Sequence, residues 1–164
     1  MKIGIAGTGR MGEAIGYRLM DLGHELTVWN RTAGKTKALA GEGARVAASP
    51  TVLAGAAEVI ITILTDDKAI EALYHGPQGL LSGNVAGKLL IEMSTVRPEV
   101  EIALGAKVKQ KGAAFVECPV SGTTGPATGR AAGLPSGATG ASGPVGNATG
   151  VTRLFMWRRI SRST

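Results

Sequence analysis

The 164-residue chain has a single cysteine, Cys118, and two histidines, His24 and His75. One thiol cannot close an internal disulfide, so nothing points to a stapled, secreted scaffold. No metal site is expected from so few Cys and His ligands. Aromatic residues make up only 4% of the chain. No apolar run reaches the roughly 20 residues that a bilayer-spanning helix needs. The N-terminus reads as a buried strand, not a signal peptide. A cytoplasmic location with no membrane partner is therefore expected. Acidic residues are absent from the last part of the chain: after Ala127 come Arg130, Arg153, Arg158, Arg159 and Arg162, with no Asp or Glu. Residues 1–127 hold 13 basic side chains against 12 acidic. The net charge of +6 thus lies almost wholly in the tail. Those arginines belong to no recognisable nucleic-acid-binding fold, so a nucleic-acid partner is not expected.

The informative part is the first forty residues. Lys2-Ile-Gly-Ile-Ala6 reads as a short buried strand. Gly7-Thr8-Gly9-Arg10-Met11-Gly12 follows, then a helix with Met11, Ala14, Ile15, Leu19 and Leu22 on one face. Gly23 and His24 stop that helix, and a second strand ends Val28-Trp29-Asn30-Arg31-Thr32. A bare GxGxxG is weak evidence, because glycine turns are common. Set between a strand and an amphipathic helix, each glycine acquires a task in dinucleotide binding. Gly7 permits the tight turn, Gly9 lets the backbone approach a pyrophosphate, and Gly12 lets the helix sit close to the sheet. The helix N-terminus then offers N–H groups to the phosphates.

The end of the second strand selects the cofactor. An NAD site places Asp or Glu there to hold the adenosine ribose. This chain has Asn30, Arg31 and Thr32 instead, with Lys35 one turn on. Arg31 suits a charge-assisted fork to a 2′-phosphate, which a carboxylate would repel. NADP is expected over NAD.

Further along, residues 33 to about 41 read as a second helix capped by Thr32, and 45–47 as a short strand. Ser49-Pro50 starts a helix. Residues 59–64 form an apolar, β-branched strand of the kind buried on both faces. Residues 65–67 cap a helix running to about 74. Residues 89–92 form another strand, Pro98 begins a helix running to about 111, and 115–118 form a last strand ending at Pro119. This alternation predicts an α/β fold: a Rossmann-type, mostly parallel, doubly wound sheet. Loops 7–12, 30–32, 64–67, 93–95 and 119–124 should line one edge, outside the carboxyl ends of the strands. Taken alone, Ser94 or Thr95 is as well read as a helix start, residues 119–122 as a plain turn, and Cys118 as a small buried residue. Glu92 and Glu117 end strands and are not read as a catalytic pair.

Together these motifs resemble the β-hydroxyacid dehydrogenase family, which includes 3-hydroxyisobutyrate dehydrogenase and tartronate semialdehyde reductase. They are similar, more distantly, to the NADP-binding domain of 6-phosphogluconate dehydrogenase. The resemblance covers residues 1 to about 127 and rests on four stretches: 3–12, 23–32, Glu92-Met-Ser-Thr95 and Glu117-Cys-Pro-Val-Ser-Gly122. It implies hydride transfer between NADP(H) and a small β-hydroxyacid or semialdehyde. It implies that Gly7, Thr8, Gly9, Arg10, Met11 and Gly12, with Asn30, Arg31, Thr32 and Lys35, hold the cofactor. Leu64 and Thr65 would lie along its adenosine side and Thr95 near the nicotinamide ribose. Ser121 and Gly122, with Thr123, would hold the substrate carboxylate. Imine reductases share the N-terminal motifs, but the Pro-Val-Ser-Gly loop argues against them. A non-catalytic NADP-binding module is the other alternative.

The resemblance stops near Ala127. The family continues with a further strand, a long helix bearing a catalytic lysine, and a helical domain that makes most of the homo-oligomer contact. Here no lysine follows Lys111, and residues 128–164 are rich in Gly, Ala, Ser and Pro. Such small side chains cannot bury enough apolar area to offset ordering entropy. The expectation is therefore an NADP-binding domain over 1–127, incomplete at its C-terminal end, and a disordered basic tail over 128–164. A one-base slip would account for the change. Thr128–Gly133 can be encoded so that reading one base later yields Gln-Gly-Gly-Leu-Leu, which restores the family pattern. With no catalytic residue assignable, activity is expected to be weak or absent.

Overall fold

A computed structural model describes residues 1–120. Six strands form one sheet: β1 (Lys2–Ala6), β2 (Glu25–Trp29), β3 (Arg45–Val46), β4 (Val59–Thr62), β5 (Leu89–Glu92) and β6 (Ala114–Glu117). Their order is β3-β2-β1-β4-β5-β6, and every pairing is parallel. Five α-helices connect them: α1 (Arg10–Asp21), α2 (Lys37–Gly41), α3 (Pro50–Ala56), α4 (Asp67–His75) and α5 (Pro98–Gln110). The sheet order reverses between β1 and β4, so the loops leaving these two strands part in opposite directions and open a crevice at their carboxyl ends.

The helices cover both faces. On one, Ile3, Ile5, Leu26, Val28 and Leu39 pack with Ile15 and Leu19 of α1. On the other, Leu53, Ile60, Ile70, Leu73, Leu90, Leu104 and Val108 join α3, α4 and α5 to the sheet. The central strands are therefore apolar on both sides, as parallel strands between two helical layers must be. Full burial of each such Leu or Ile contributes roughly 1.5–3 kcal/mol. The last carbonyls of α3 lack helical partners; Lys88 Nζ donates to Ala54 O and, at 2.8 Å, to Ala57 O.

Several expected boundaries shift. Residues 33–41 do not form one helix. A 3-10 turn (Ala33–Thr36) precedes a short α2, because Thr36 Oγ1 donates back to Ala33 O at 2.8 Å and Lys35 O is drawn outward to Thr8 Oγ1. Thr32 occupies the N-cap position of that turn but makes no side-chain cap bond. Strand β4 stops at Thr62, two residues earlier than expected. Ile63 N still donates to Ala6 O at 3.0 Å before the chain leaves the sheet. Helix α5 does start at Pro98, as expected, with Arg97 as its N-cap, so the alternative start at Ser94 or Thr95 is not used. The Ser49-Pro50 start holds, with Ser49 Oγ accepting from Val52 N at 3.2 Å. The tail 128–164 lies outside the described residues.

The β1–α1 turn is the tightest place in the fold. Gly7 has φ +100°, and a Cβ there would sit 2.0 Å from Ile63 O. A Cβ on Gly12 would sit 2.0 Å from Gly7 O. The carbonyl belongs to the backbone and cannot swing away. Gly12→Ala should therefore cost roughly 2–3 kcal/mol in urea unfolding. Gly55→Ala, in open space within α3, should be neutral or slightly stabilising.

Candidate functional site

Helix α1 begins at Arg10 with Gly9 as its N-cap, and no side chain caps it. Glu13 N donates to Gly9 O at 2.8 Å, so the N–H groups of the first turn lack intrahelical acceptors. Among the described residues, no atom beyond the adjoining backbone lies within 4 Å of where a Gly9 side chain would stand. The surface in front of α1 is thus both open and rich in donors, which is the chemistry that receives a phosphate. Gly7 N donates to Trp29 O at 3.0 Å, tying the turn to the end of β2.

The neighbouring segment follows β2. Arg31, Thr32 and Lys35 are exposed, and Asn30 is half-buried. Asn30 Oδ1 accepts from Thr8 N at 3.1 Å, while Asn30 Nδ2 donates to Thr32 O at 3.1 Å. Arg31 is therefore flanked by residues bonded to, or bonded through, the glycine turn. Thr8 is buried, with its amide given to Asn30 Oδ1 and its hydroxyl to Lys35 O at 2.9 Å, so the direct hold on the cofactor expected of Thr8 is not offered by its donors. Arg10 is exposed beside the turn and Met11 half-buried.

Beyond β4, Leu64 is half-buried and Thr65 exposed. Thr65 Oγ1 donates to Asp66 Oδ2 at 3.0 Å. Asp66 caps α4 by accepting from Ala69 N at 2.8 Å. That bond, then the Thr65 hydroxyl, and more weakly the positive charge of Arg31, hold the Asp66 carboxyl below the usual aspartate range. Beyond β5, Ser94 is buried and Thr95 exposed. Ser94 Oγ accepts from Leu64 N at 2.7 Å, which joins the two loops. Because the sheet is parallel, the loops after β1, β2, β4 and β5 share one edge, as does Pro119-Val120 after β6. Ser121, Gly122 and Thr123 lie outside the described residues.

One group escaped the sequence reading. Glu92 is fully buried at the end of β5. Its Oε2 accepts from Thr62 Oγ1 at 2.6 Å and from Tyr74 OH at 3.1 Å, and its Oε1 accepts from Ser94 N at 2.9 Å. A buried carboxylate is tolerated only when donors surround it, and here three do. Burial, and then the Glu92 charge, push the Tyr74 hydroxyl well above its ordinary pKa, so it stays protonated and donating. The signal available in the sequence was parity: Ile60 and Leu90 face the core, so Thr62 and Glu92 two residues on face it too.

Two concavities lie away from this edge. One is at the opposite, amino-terminal edge of the sheet, lined by Lys2, His24, Glu25 and Arg45. The other runs between α4 and α5, lined by Ile70, His75, Val100 and Lys107. Neither includes a residue expected at the cofactor. An extended dinucleotide lies across an open strand edge and needs no closed cavity. Among the described residues no cluster of three or more metal-ligating side chains occurs. None of their helices is long and apolar enough to cross a membrane.

A family model described as the NAD binding domain of 6-phosphogluconate dehydrogenase matches residues 2–146. The chain is 40% identical over 122 residues to an uncharacterized oxidoreductase, YfjR, of Bacillus subtilis, covering 74% of this chain and 43% of that protein. It is 39% identical over 122 residues to the cytokine-like nuclear factor N-PAC of Danio rerio, covering 74% of this chain and 26% of the relative. Among solved structures, Psf3 in complex with NADP+ and 2-OPP superposes with a TM-score of 0.73 at 36% identity, over 77% of this chain and 45% of that one. The chain thus spans less than half the length of each.

The Asp66 cap gives a pH test. A carboxyl held low stabilises the fold fully at neutral pH and loses that contribution as pH falls through its lowered pKa. Asn caps helices at any pH. In urea melts, Asp66→Asn should therefore lose less stability than the parent chain as pH falls below the ordinary aspartate range. Parallel acid limbs would contradict the assignment.

Proposed function

The chain belongs to the family of the NAD binding domain of 6-phosphogluconate dehydrogenase, and from that premise we propose that it is the NADP-binding part of an oxidoreductase acting on a small β-hydroxyacid or semialdehyde. The observation that carries this reading is the pairing of two features on one edge. The α1 N-terminus stands open behind Gly9, and the exposed Arg31 lies on the next loop with no Asp or Glu among residues 30–32.

The residues fit the cofactor group by group. The amides of Arg10, Met11 and Gly12 would receive the pyrophosphate, helped by the partial positive charge of the helix end. Arg31, with Thr32 and Lys35, would meet the adenosine 2′-phosphate; a guanidinium offers a planar fork that matches phosphate oxygens. Leu64 and Thr65 would border the adenosine side. Thr95 would stand near the nicotinamide ribose, its loop fixed by Ser94 and the buried Glu92. The solution of Psf3 with NADP+ supports the choice of phosphate over a plain ribose.

When bound, NADP(H) supplies or accepts the hydride. The substrate carboxylate would fall to Ser121, Gly122 and Thr123, a loop of small donors. Proton transfer at the hydroxyl oxygen needs a general acid–base group. No lysine follows Lys111 in the sequence, so the family's lysine has no match among these residues. We therefore read the described residues as the cofactor-binding half of that chemistry.

Fluorescence titration tests the reading. The parent chain should bind NADPH more tightly than NADH. Arg31→Asp should weaken NADPH by about tenfold to a hundredfold, since a charged hydrogen bond is worth about 1.5–3 kcal/mol, and should leave NADH little changed. Equal effects on both nucleotides would refute the 2′-phosphate role.

A further inference from the structure

Arg31 and Lys35 sit on an exposed segment. Residues 31–35 are all exposed, they include Gly34, and they precede a helix of only five residues. Such a segment does not hold a guanidinium in place by packing. Its local bonds, Lys35 N to Thr32 O at 3.0 Å and Thr36 Oγ1 to Ala33 O at 2.8 Å, shape the turn on itself. The bonds that tie it to the glycine turn converge on Thr8. The Thr8 amide donates to Asn30 Oδ1, and Asn30 Nδ2 donates to Thr32 O, so the residues on both sides of Arg31 are secured. The Thr8 hydroxyl donates to Lys35 O at 2.9 Å. Thr8 itself is 2% exposed, which leaves its hydroxyl committed to the protein and withdrawn from any ligand.

We propose that Thr8 is a positioning residue for coenzyme selectivity: its hydroxyl latches the Arg31–Lys35 segment to the phosphate-cradling turn, so that the two halves of the cofactor site are held as one unit. This rests on the reading that Arg31 meets a 2′-phosphate. The latch acts on NADPH and not on NADH, because only NADPH reaches the latched segment with a charged group. Without it the segment must be ordered at the moment of binding, and affinity falls by that ordering cost. The cradle itself stays intact, since Gly7 N to Trp29 O and the Gly7–Gly12 contact do not involve the Thr8 side chain.

The test is a set of titrations of the full chain with NADPH and with NADH, each protein checked by its urea midpoint. Thr8→Val removes the donor and keeps the shape. It should weaken NADPH about fivefold to tenfold while NADH moves by less than about twofold. Thr8→Ser keeps the donor and should restore the parent ratio. Thr8→Ala serves if the valine variant does not fold, as it adds no apolar group against Lys35 O. Equal losses for both nucleotides, an unchanged ratio in Thr8→Val, or a serine variant that behaves like valine would each overturn the latch while leaving the Arg31 reading intact. A parent chain that shows no preference for NADPH would overturn that reading, and the latch with it.

Discussion

The carbonyl of Gly7 occupies the space that a side chain at residue 12 would need. From this one contact the working edge follows. It brings the start of α1 against the end of β1, leaves the first amides of the helix facing outward, and sets Gly9 in open space. A β-carbon at position 12 would push the helix off the sheet and turn its donors away from the crevice between β1 and β4. The same turn is pinned from below by Gly7 N on Trp29 O and from the side by Thr8 on Asn30 and Lys35. A rigid donor array therefore meets an arginine-bearing loop whose position it helps to set.

A second constraint lies under the other half of the edge. Glu92 is sealed in the core with Thr62, Tyr74 and the Ser94 amide around it. Its carboxylate joins the ends of β4 and β5, and Ser94 extends the join to Leu64 N. Removing any one donor would leave a buried charge short of a partner, at about 1–3 kcal/mol or more. The loops after β4 and β5 are thus fixed by an internal polar cluster, whereas the loops after β1 and β2 are fixed by glycine contacts and a threonine latch.

Local chemistry was legible in the sequence, and non-local chemistry was not. The strand–turn–helix at the N-terminus announced itself because every requirement falls within a few residues: apolar strand, spaced glycines, apolar helix stripe. Ser49-Pro50 was equally local. The parallel, doubly wound Rossmann-type sheet followed from the alternation of strands with helices, whereas the order of its strands came from the structure. The interruption of residues 33–41 was not visible, because it depends on Lys35 O being taken by Thr8, 27 positions away. The role of Ser94 was hidden for the same reason: its partner, Leu64 N, is 30 positions distant. Glu92 looked like a strand-end carboxylate until Tyr74 and Thr62 were seen to face it. Arg31 is a different case. Its side chain is exposed, and its role rests on the nature of the group it would meet.

The central claim is that the α1 amides and Arg31 receive one nucleotide together. An NMR titration of 15N-labelled chain with NADPH tests this most directly. The account predicts that the largest amide shifts appear at residues 8–12 and at Arg31, saturating with a single affinity. Shifts confined to the opposite edge, around Lys2, Glu25 and Arg45, with residues 8–12 unmoved, would contradict it.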